Sequence, residues 1–306
     1  MRYQNPVRIQ TRPEAAVQGE KRELLRLLLT VTVLIIGILF ILDRTAWWLA
    51  PKIPFGWEVS IGSKLGMDTL PATMAGGAQQ PPNPQAGAIE AALQARADRI
   101  AKALGVPADM KIQAHYIESP VINAVATLGG HVSVFSGLLH QLEYEEELDA
   151  VLAHEIGHVM HRHLVQQMGR GITAAVALEM TGINSTSLTR WLVGDVYQLQ
   201  QLAYSRDAER EADQAAHRAA QALYGHTKGM VSLFRRFQAL QQEKGSHLDE
   251  ILPFLQSHPL PEARMTAVSP QESSNTPLTP LPPLLRPARS AGSPSADDNR
   301  PIRQPD

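Results

Sequence analysis

Three residues within five positions could hold a metal ion and move a proton. His154, Glu155 and His158 form the sequence HEIGH inside Val151–His163 (VLAHEIGHVMHRH). On a helix, positions i and i+4 share a face, so both imidazoles can reach one ion. Glu155 follows the first histidine and can reach a water beside that ion, where a carboxylate serves as a general base. The chemistry this pattern points to is hydrolysis, and it needs a third ligand from elsewhere in the chain.

Composition narrows that ligand. The chain has no cysteine, which excludes disulfides, thiolate metal sites and a cysteine nucleophile. Any metal must be held by histidine and carboxylate, a donor set that suits catalytic zinc, Zn2+, one per chain. A formal charge of −2 over 306 residues gives no basic footprint for nucleic acid. The second informative stretch is Ala203–Ala215, AYSRDAEREADQA. Glu209, Glu211 and Asp213 are the candidates there. Glu209 and Asp213 stand i, i+4 and share a helix face, while Glu211 points away. One of the pair can bind the metal while the other orients a ligating histidine.

These residues need elements to position them. The acidic run Glu143–Asp149 is expected to open the helix that carries HEIGH, since carboxylates favour a helix N-terminus. Leu148, Leu152, Ile156 and Val159 form its core-facing stripe. His161 is expected at the surface or behind a ligand, and His163 is expected to pack or cap locally. Ala88–Leu104 has helical periodicity and stops at Gly105. Three β-prone runs follow, Lys111–Glu118, Val121–Thr127 and His131–Phe135, separated by Pro120 and by Gly129–Gly130. Ser136–Leu142 reads as a short helix. Gly171–Met180 is expected to pack in the core, Gly182–Ser187 to turn, and Leu188–Ala222 to be mainly helical.

The N-terminal part has a different character. Residues 1–23 are polar and basic, and residues 24–42 (LLRLLLTVTVLIIGILFIL) are nearly all apolar. About 20 such residues span a bilayer as a helix, and Trp47 and Trp48 follow where an interfacial belt would lie. The expectation is one anchor contacting membrane lipid. The basic side should lie in the cytoplasm and the bulk of the chain on the periplasmic or extracytoplasmic side. A mitochondrial inner-membrane protein facing the intermembrane space is the alternative. Residues 43–86 read as a membrane-proximal linker, in which Trp57–Leu65 could be a short strand, a hairpin or a packed collar. Residues 269–306 read as a disordered Pro/Ser-rich tail.

HEIGHVMHRH together with YSRDAEREAD resembles the HtpX / CAAX-prenyl-protease family of gluzincin zinc metallopeptidases. The nearest likeness is to single-span or periplasmic and mitochondrial quality-control members. The likeness covers roughly residues 88–268. Ile122–Leu139 resembles the family's hairpin before the active-site helix, and His163 takes the histidine position of its Arg-His pair. Ser257–Met265 (SHPLPEARM) resembles its late His-Pro…Arg segment. The resemblance implies Glu209 as third zinc ligand, Asp213 as the residue that orients a ligand, and His258 near the metal. It also implies an α+β, mainly helical, zincin-type peptidase domain at 87–268, with a small antiparallel sheet before the active-site helix. The activity implied is cleavage of protein or peptide substrates, in damaged membrane or envelope proteins. A catalytically idle zinc-binding chaperone on the same fold is the rival. His258 is the first candidate to stabilise charge on the scissile carbonyl and Tyr204 the second. The strand at His131, Val132, Ser133 and Val134 is expected to be an edge to which an extended substrate adds.

Overall fold

The structure, a computed structural model, describes residues 14–49, 52, 54–64, 83–169, 204–244, 253–259, 264 and 276–286. The expectations for Gly171–Met180, for Gly182–Ser187 and for the start of the helical stretch at Leu188 fall outside these residues. So do most of the basic N-terminus, residues 65–82 of the linker and most of the tail.

Helix α1 (Glu14–Leu49) runs through the apolar stretch, and Leu24 (67%), Leu28 (63%), Leu34 (59%) and Ile41 (63%) are among the large apolar side chains exposed along it. Among the described residues no helix is long and apolar enough to cross a membrane. The expected anchor is therefore not confirmed. Helix α2 (Phe55–Lys64) replaces the strand or hairpin considered for Trp57–Leu65. It is seated on the domain rather than free: Phe55 and Glu58 are buried, and Gly62 abuts Leu128.

Helix α3 (Ala86–Leu104) buries Ile89, Leu93, Ala97 and Ile100, one stripe at helical spacing. Gly105 ends it in the left-handed conformation that glycine adopts without strain. Strands β1 (Gln113–Ile117), β2 (Ala124–Ala126) and β3 (His131–Phe135) follow. The sheet order is β1-β3-β2. β2 and β3 pair antiparallel, with Ala124 opposite Val134, through a turn whose Gly129 and Gly130 both have positive φ. β3 then returns beside β1 in parallel, with Gln113 opposite His131.

Two expectations are corrected here. The sheet is mixed, not antiparallel, because the hairpin inserts its second strand next to β1. The residues His131, Val132, Ser133 and Val134 are consequently central and cannot offer an edge. The outer side of β1 is closed as well. The Gln94 side chain donates to Ile112 O (3.0 Å) and accepts from Ala114 N (2.8 Å), while Glu90 accepts from Tyr116 N (3.2 Å). Side chains of α3 thus stand in for a neighbouring strand.

After α4 (Ser136–Leu139) comes α5 (Glu145–Met160), the HEIGH helix, buried from Glu146 to Val159. The Glu147 carboxylate accepts from Glu143 N (2.7 Å) and Tyr144 N (3.1 Å), satisfying amides that a helix start leaves open. Its acidic first turn does more than favour the dipole. Glu147 also takes the Ser232 hydroxyl at 2.6 Å, and Asp149 pairs with Arg96 at 2.9 Å and with Arg99. Residues 163–169 form a further helical turn.

Helix α6 (Arg206–Tyr224) is capped by Ser205 Oγ, which accepts from Ala208 N. It lays Ala208, Ala212, Ala215 and Ala216 against α5. The crossing is tight at Gly157, where a Cβ would stand 2.9 Å from Ala215 Cβ and 3.0 Å from Ala212 Cα. Helix α7 (Lys228–Lys244) adds Phe234 and Phe237 to the core, and α8 (Pro253–Ser257) leads into His258.

Part of the tail is ordered, which corrects the disordered reading for residues 276–286. Glu145 N donates to Thr279 O and Leu281 N to Glu143 O, both at 2.8 Å. Leu281 and Leu285 are buried. Their apolar side chains give this segment something to bury that the rest of the tail lacks.

Candidate metal centre

α5 presents His154 and His158 on one face, one turn apart, and α6 presents Glu209 opposite them. His258 comes from the residue after α8. The ligand atoms of His154, His158, Glu209 and His258 all lie within 4.8 Å of one another, and all four residues are buried. His158 Nε2 is 3.1 Å from His154 Nε2 and 3.6 Å from a Glu209 oxygen, so both imidazoles aim their Nε2 inward. His258 Nδ1 stands 2.9 Å from Glu209 Oε1 and 3.2 Å from His154 Nε2. Three imidazoles and a carboxylate that are buried and converge are costly to hold together unless something positive joins them. The donor set fits a metal ion at their centre.

The outward Nδ1 atoms are held differently. His154 Nδ1 meets Asp213 Oδ1 at 3.1 Å. His158 Nδ1 meets His163 Nδ1 at 2.9 Å, and His163 Nε2 meets Glu211 Oε2 at 2.9 Å. Each partner fixes which nitrogen carries the proton, leaving Nε2 free to bind. Glu155 points one oxygen away, where Oε2 accepts from Ala126 N of β2 at 2.9 Å. Its Oε1 accepts no hydrogen bond from the described residues and faces His258 Nε2 at 3.4 Å. Glu155 thus lies between the sheet and the histidine cluster.

The electrostatics follow the packing. Burial pushes the Glu155 carboxyl above its ordinary range, although His258 and His154 oppose it. A raised carboxyl is suited to taking a proton near neutral pH. Burial likewise lowers His158 well below the usual imidazole range, with His154 adding to it, which keeps it neutral and able to ligate. Burial alone would raise Glu209, but His258, His154 and Arg264 together hold it low. His258 is raised: burial disfavours its charge, and the Glu155 and Glu209 carboxylates more than compensate.

The structure brings together the ligands and base read from the sequence, and it places Asp213 and His258 beside them. Tyr204 stacks on His158 with ring centroids 4.0 Å apart. His161 stands outside this cluster at the end of α5. With His163 and Glu211 it forms a second, half-exposed group of ligand atoms within 4.8 Å. His163 does more than pack, because it backs His158. Arg264 was not singled out by the sequence reading. It binds Asp213 through two nitrogens at 2.7 Å each and Glu209 at 2.6 Å. The signal was its place in the same late segment as His258.

Two histidines one turn apart, a glutamate from a later helix and a second glutamate beside the first histidine make the layout of a metallopeptidase. The chain belongs to peptidase family M48, which it matches over residues 88–272. It is 33% identical over 154 residues to Metalloprotease YcaL of Escherichia coli K12, covering 47% of this chain and 59% of that protein. It is 29% identical over 163 residues to Mitochondrial metalloendopeptidase OMA1 of Schizosaccharomyces pombe, covering 52% of this chain and 46% of that protein. It is 29% identical over 161 residues to Beta-barrel assembly-enhancing protease of Escherichia coli K12, covering 49% of this chain and 32% of that protein. The chain spans less than two thirds of the length of each of these relatives.

Proposed function

We propose that this protein is a membrane-anchored zinc metalloendopeptidase, with His154, His158 and Glu209 as ligands and Glu155 as general base. The observation that carries the reading is the convergence of those ligand atoms beside the free oxygen of Glu155. Zinc, when bound there, supplies a Lewis acid that polarises a scissile carbonyl and acidifies a water. Glu155 Oε1 takes the proton from that water and delivers it to the leaving amine, while Ala126 N holds the other oxygen. Asp213 and His163 keep the two imidazoles in the ligating tautomer. His258 occupies a fourth donor position in this arrangement, so residues 253–259 must withdraw for a substrate to enter. Tyr204, stacked on His158, then stands as a donor for charge developing on the carbonyl oxygen, and His258 takes that role only where its imidazole leaves the ligands but stays beside them.

An extended substrate would find its edge at β2. Among the described residues β2 is paired on one side only, and its other side faces Glu155. Backbone pairing there would favour unfolded segments over a particular sequence. Turnover of damaged membrane or envelope proteins suits that selectivity. For location, residues 24–42 would span about 28 Å as a helix, close to a bilayer core. The apolar side chains exposed along α1 support a lipid contact. We place residues 1–23 in the cytoplasm and the peptidase domain at 87–268 across the membrane. A mitochondrial inner membrane is the alternative.

The crowding of His258 into the cluster favours one competing reading, an idle zinc-binding scaffold. Purified full-length chain in detergent separates the two. One zinc per chain with cleavage of unfolded casein, abolished in Glu155→Gln with zinc retained, is the expected result. Zinc binding without cleavage, or unchanged cleavage in that variant, overturns the mechanism.

A further inference from the structure

Arg162 is the only non-glycine residue with a positive φ (58°) among the described residues. That backbone region is crowded for any residue with a Cβ. Here it makes the bend between the end of α5 and the helical turn 163–169, and the bend carries His163 back under His158. Arg162 is 4% exposed, and its Nη2 meets Glu58 Oε2 at 2.7 Å. Its guanidinium lies 5.8 Å from the centroid of the Phe55 ring. Glu58 Oε1 accepts from Gly129 N at 3.2 Å, so one carboxylate ties the bend to the β2–β3 turn. Glu58 and Phe55 both belong to α2, which lies before the family-matched residues 88–272.

A buried ion pair adds little net stability, and breaking one partner leaves a stranded charge. What this pair does hold is a geometry the backbone alone disfavours. We infer that Glu58 and Arg162 are positioning residues through which α2 sets the orientation of His158, by fixing the bend that aims His163 Nδ1 at His158 Nδ1. The inference rests on the peptidase reading above. α2 reaches the site through Arg162 and the β2–β3 turn, so its influence should fall on the reaction and not on substrate affinity. The membrane-proximal segment is thereby coupled to the site, and displacing α2 would detune it.

The test uses full-length chain in detergent, with a fluorogenic peptide and with cobalt in place of zinc. Glu58→Gln keeps the shape of the side chain and removes its charge. It is expected to lower kcat about 10-fold, the scale of losses behind a metal ligand, with KM within about twofold. The visible absorption of the cobalt form should shift with the orientation of His158. Arg162→Lys keeps the charge but replaces the planar guanidinium that meets Glu58 Oε2 with a single ammonium. It should show the same split at smaller size, and serves if Glu58→Gln misfolds. Ser60→Ala, on the exposed side of α2, should match wild type. A Glu58→Gln protein with wild-type kcat and cobalt spectrum, or a loss confined to KM, overturns the inference alone. A wild-type chain that binds no metal overturns the peptidase reading and this inference with it.

Discussion

His154 and His158 sit one turn apart on one helix, yet they are held by opposite means. Behind His154 stands a charged clamp: Asp213 at 3.1 Å, itself gripped by Arg264, which also binds Glu209. Asp213 is held down to about 2, because its contacts with His154 and Arg264 outweigh its burial. Behind His158 stands a softer relay of His163 and then Glu211, whose side chain is 49% exposed. One side fixes charge and geometry together. The other reaches solvent and takes its geometry from a bend held by α2. The site is clamped by charge where Glu209 meets the histidines and reaches solvent where the chain turns away.

The largest expected effect removes neither side. Glu155→Gln should cut kcat by about 10²–10⁴-fold, the range for a positioned general base, with zinc stoichiometry unchanged. Loss of zinc in that variant would mean that Glu155 also shapes the ligand set. Glu209→Ala should weaken zinc affinity by more than about 100-fold, beyond the range for supporting residues. Competition with a chelator measures it. The comparison itself is tested by Asp213→Asn against Glu211→Gln. The first should cost about 10–100-fold in zinc affinity. The second should cost less than about 10-fold, because a half-exposed partner is screened by water. Equal losses would erase the asymmetry.

The smallest effect is in stability against acid. The Asp213 carboxyl is lowered in the folded chain, from 3.8 to about 2. Its contribution is therefore complete above about pH 4 and fades as pH falls toward 2. In chelator-treated protein, the unfolding midpoint of wild type should drop across that window, and Asp213→Asn should flatten that part of the curve. An identical slope in both would show that other carboxylates dominate acid unfolding.

The sequence made the site more legible than its surroundings. HEIGH and EREAD each obey helical spacing, so a local rule places His154, His158, Glu209 and Asp213 on the correct faces. The helix at 86–104 announced itself by the recurrence from Ile89 to Ile100 and by Gly105. What the sequence hid was long-range. All three strands can be read from β-branched residues and glycines, but the order that puts β3 in the centre depends on where a hairpin inserts. Arg264 lies 51 positions along the chain from Asp213, which it contacts directly, and no spacing links them. Helix α2 contains two glycines, two serines and a tryptophan, so its periodicity is weak, and its purpose appears only with Arg162 in place. The tail segment 276–286 carries four leucines in a Pro-rich run, but nothing local in the sequence says what covers Leu281 and Leu285.

Gly157 gives the HEIGH pattern a further condition. The two positions between Glu155 and His158 are usually written as free. Here the second of them is where α6 comes closest, and a methyl group would be met by Ala212 and Ala215. A chain could keep every chemical group of the motif, carry a bulky residue at that position, and hold Glu209 out of reach. For this architecture the motif is better written as two histidines, a glutamate and a vacancy. The vacancy sets how closely the two helices approach, and with it whether Glu209 comes within reach of the histidines.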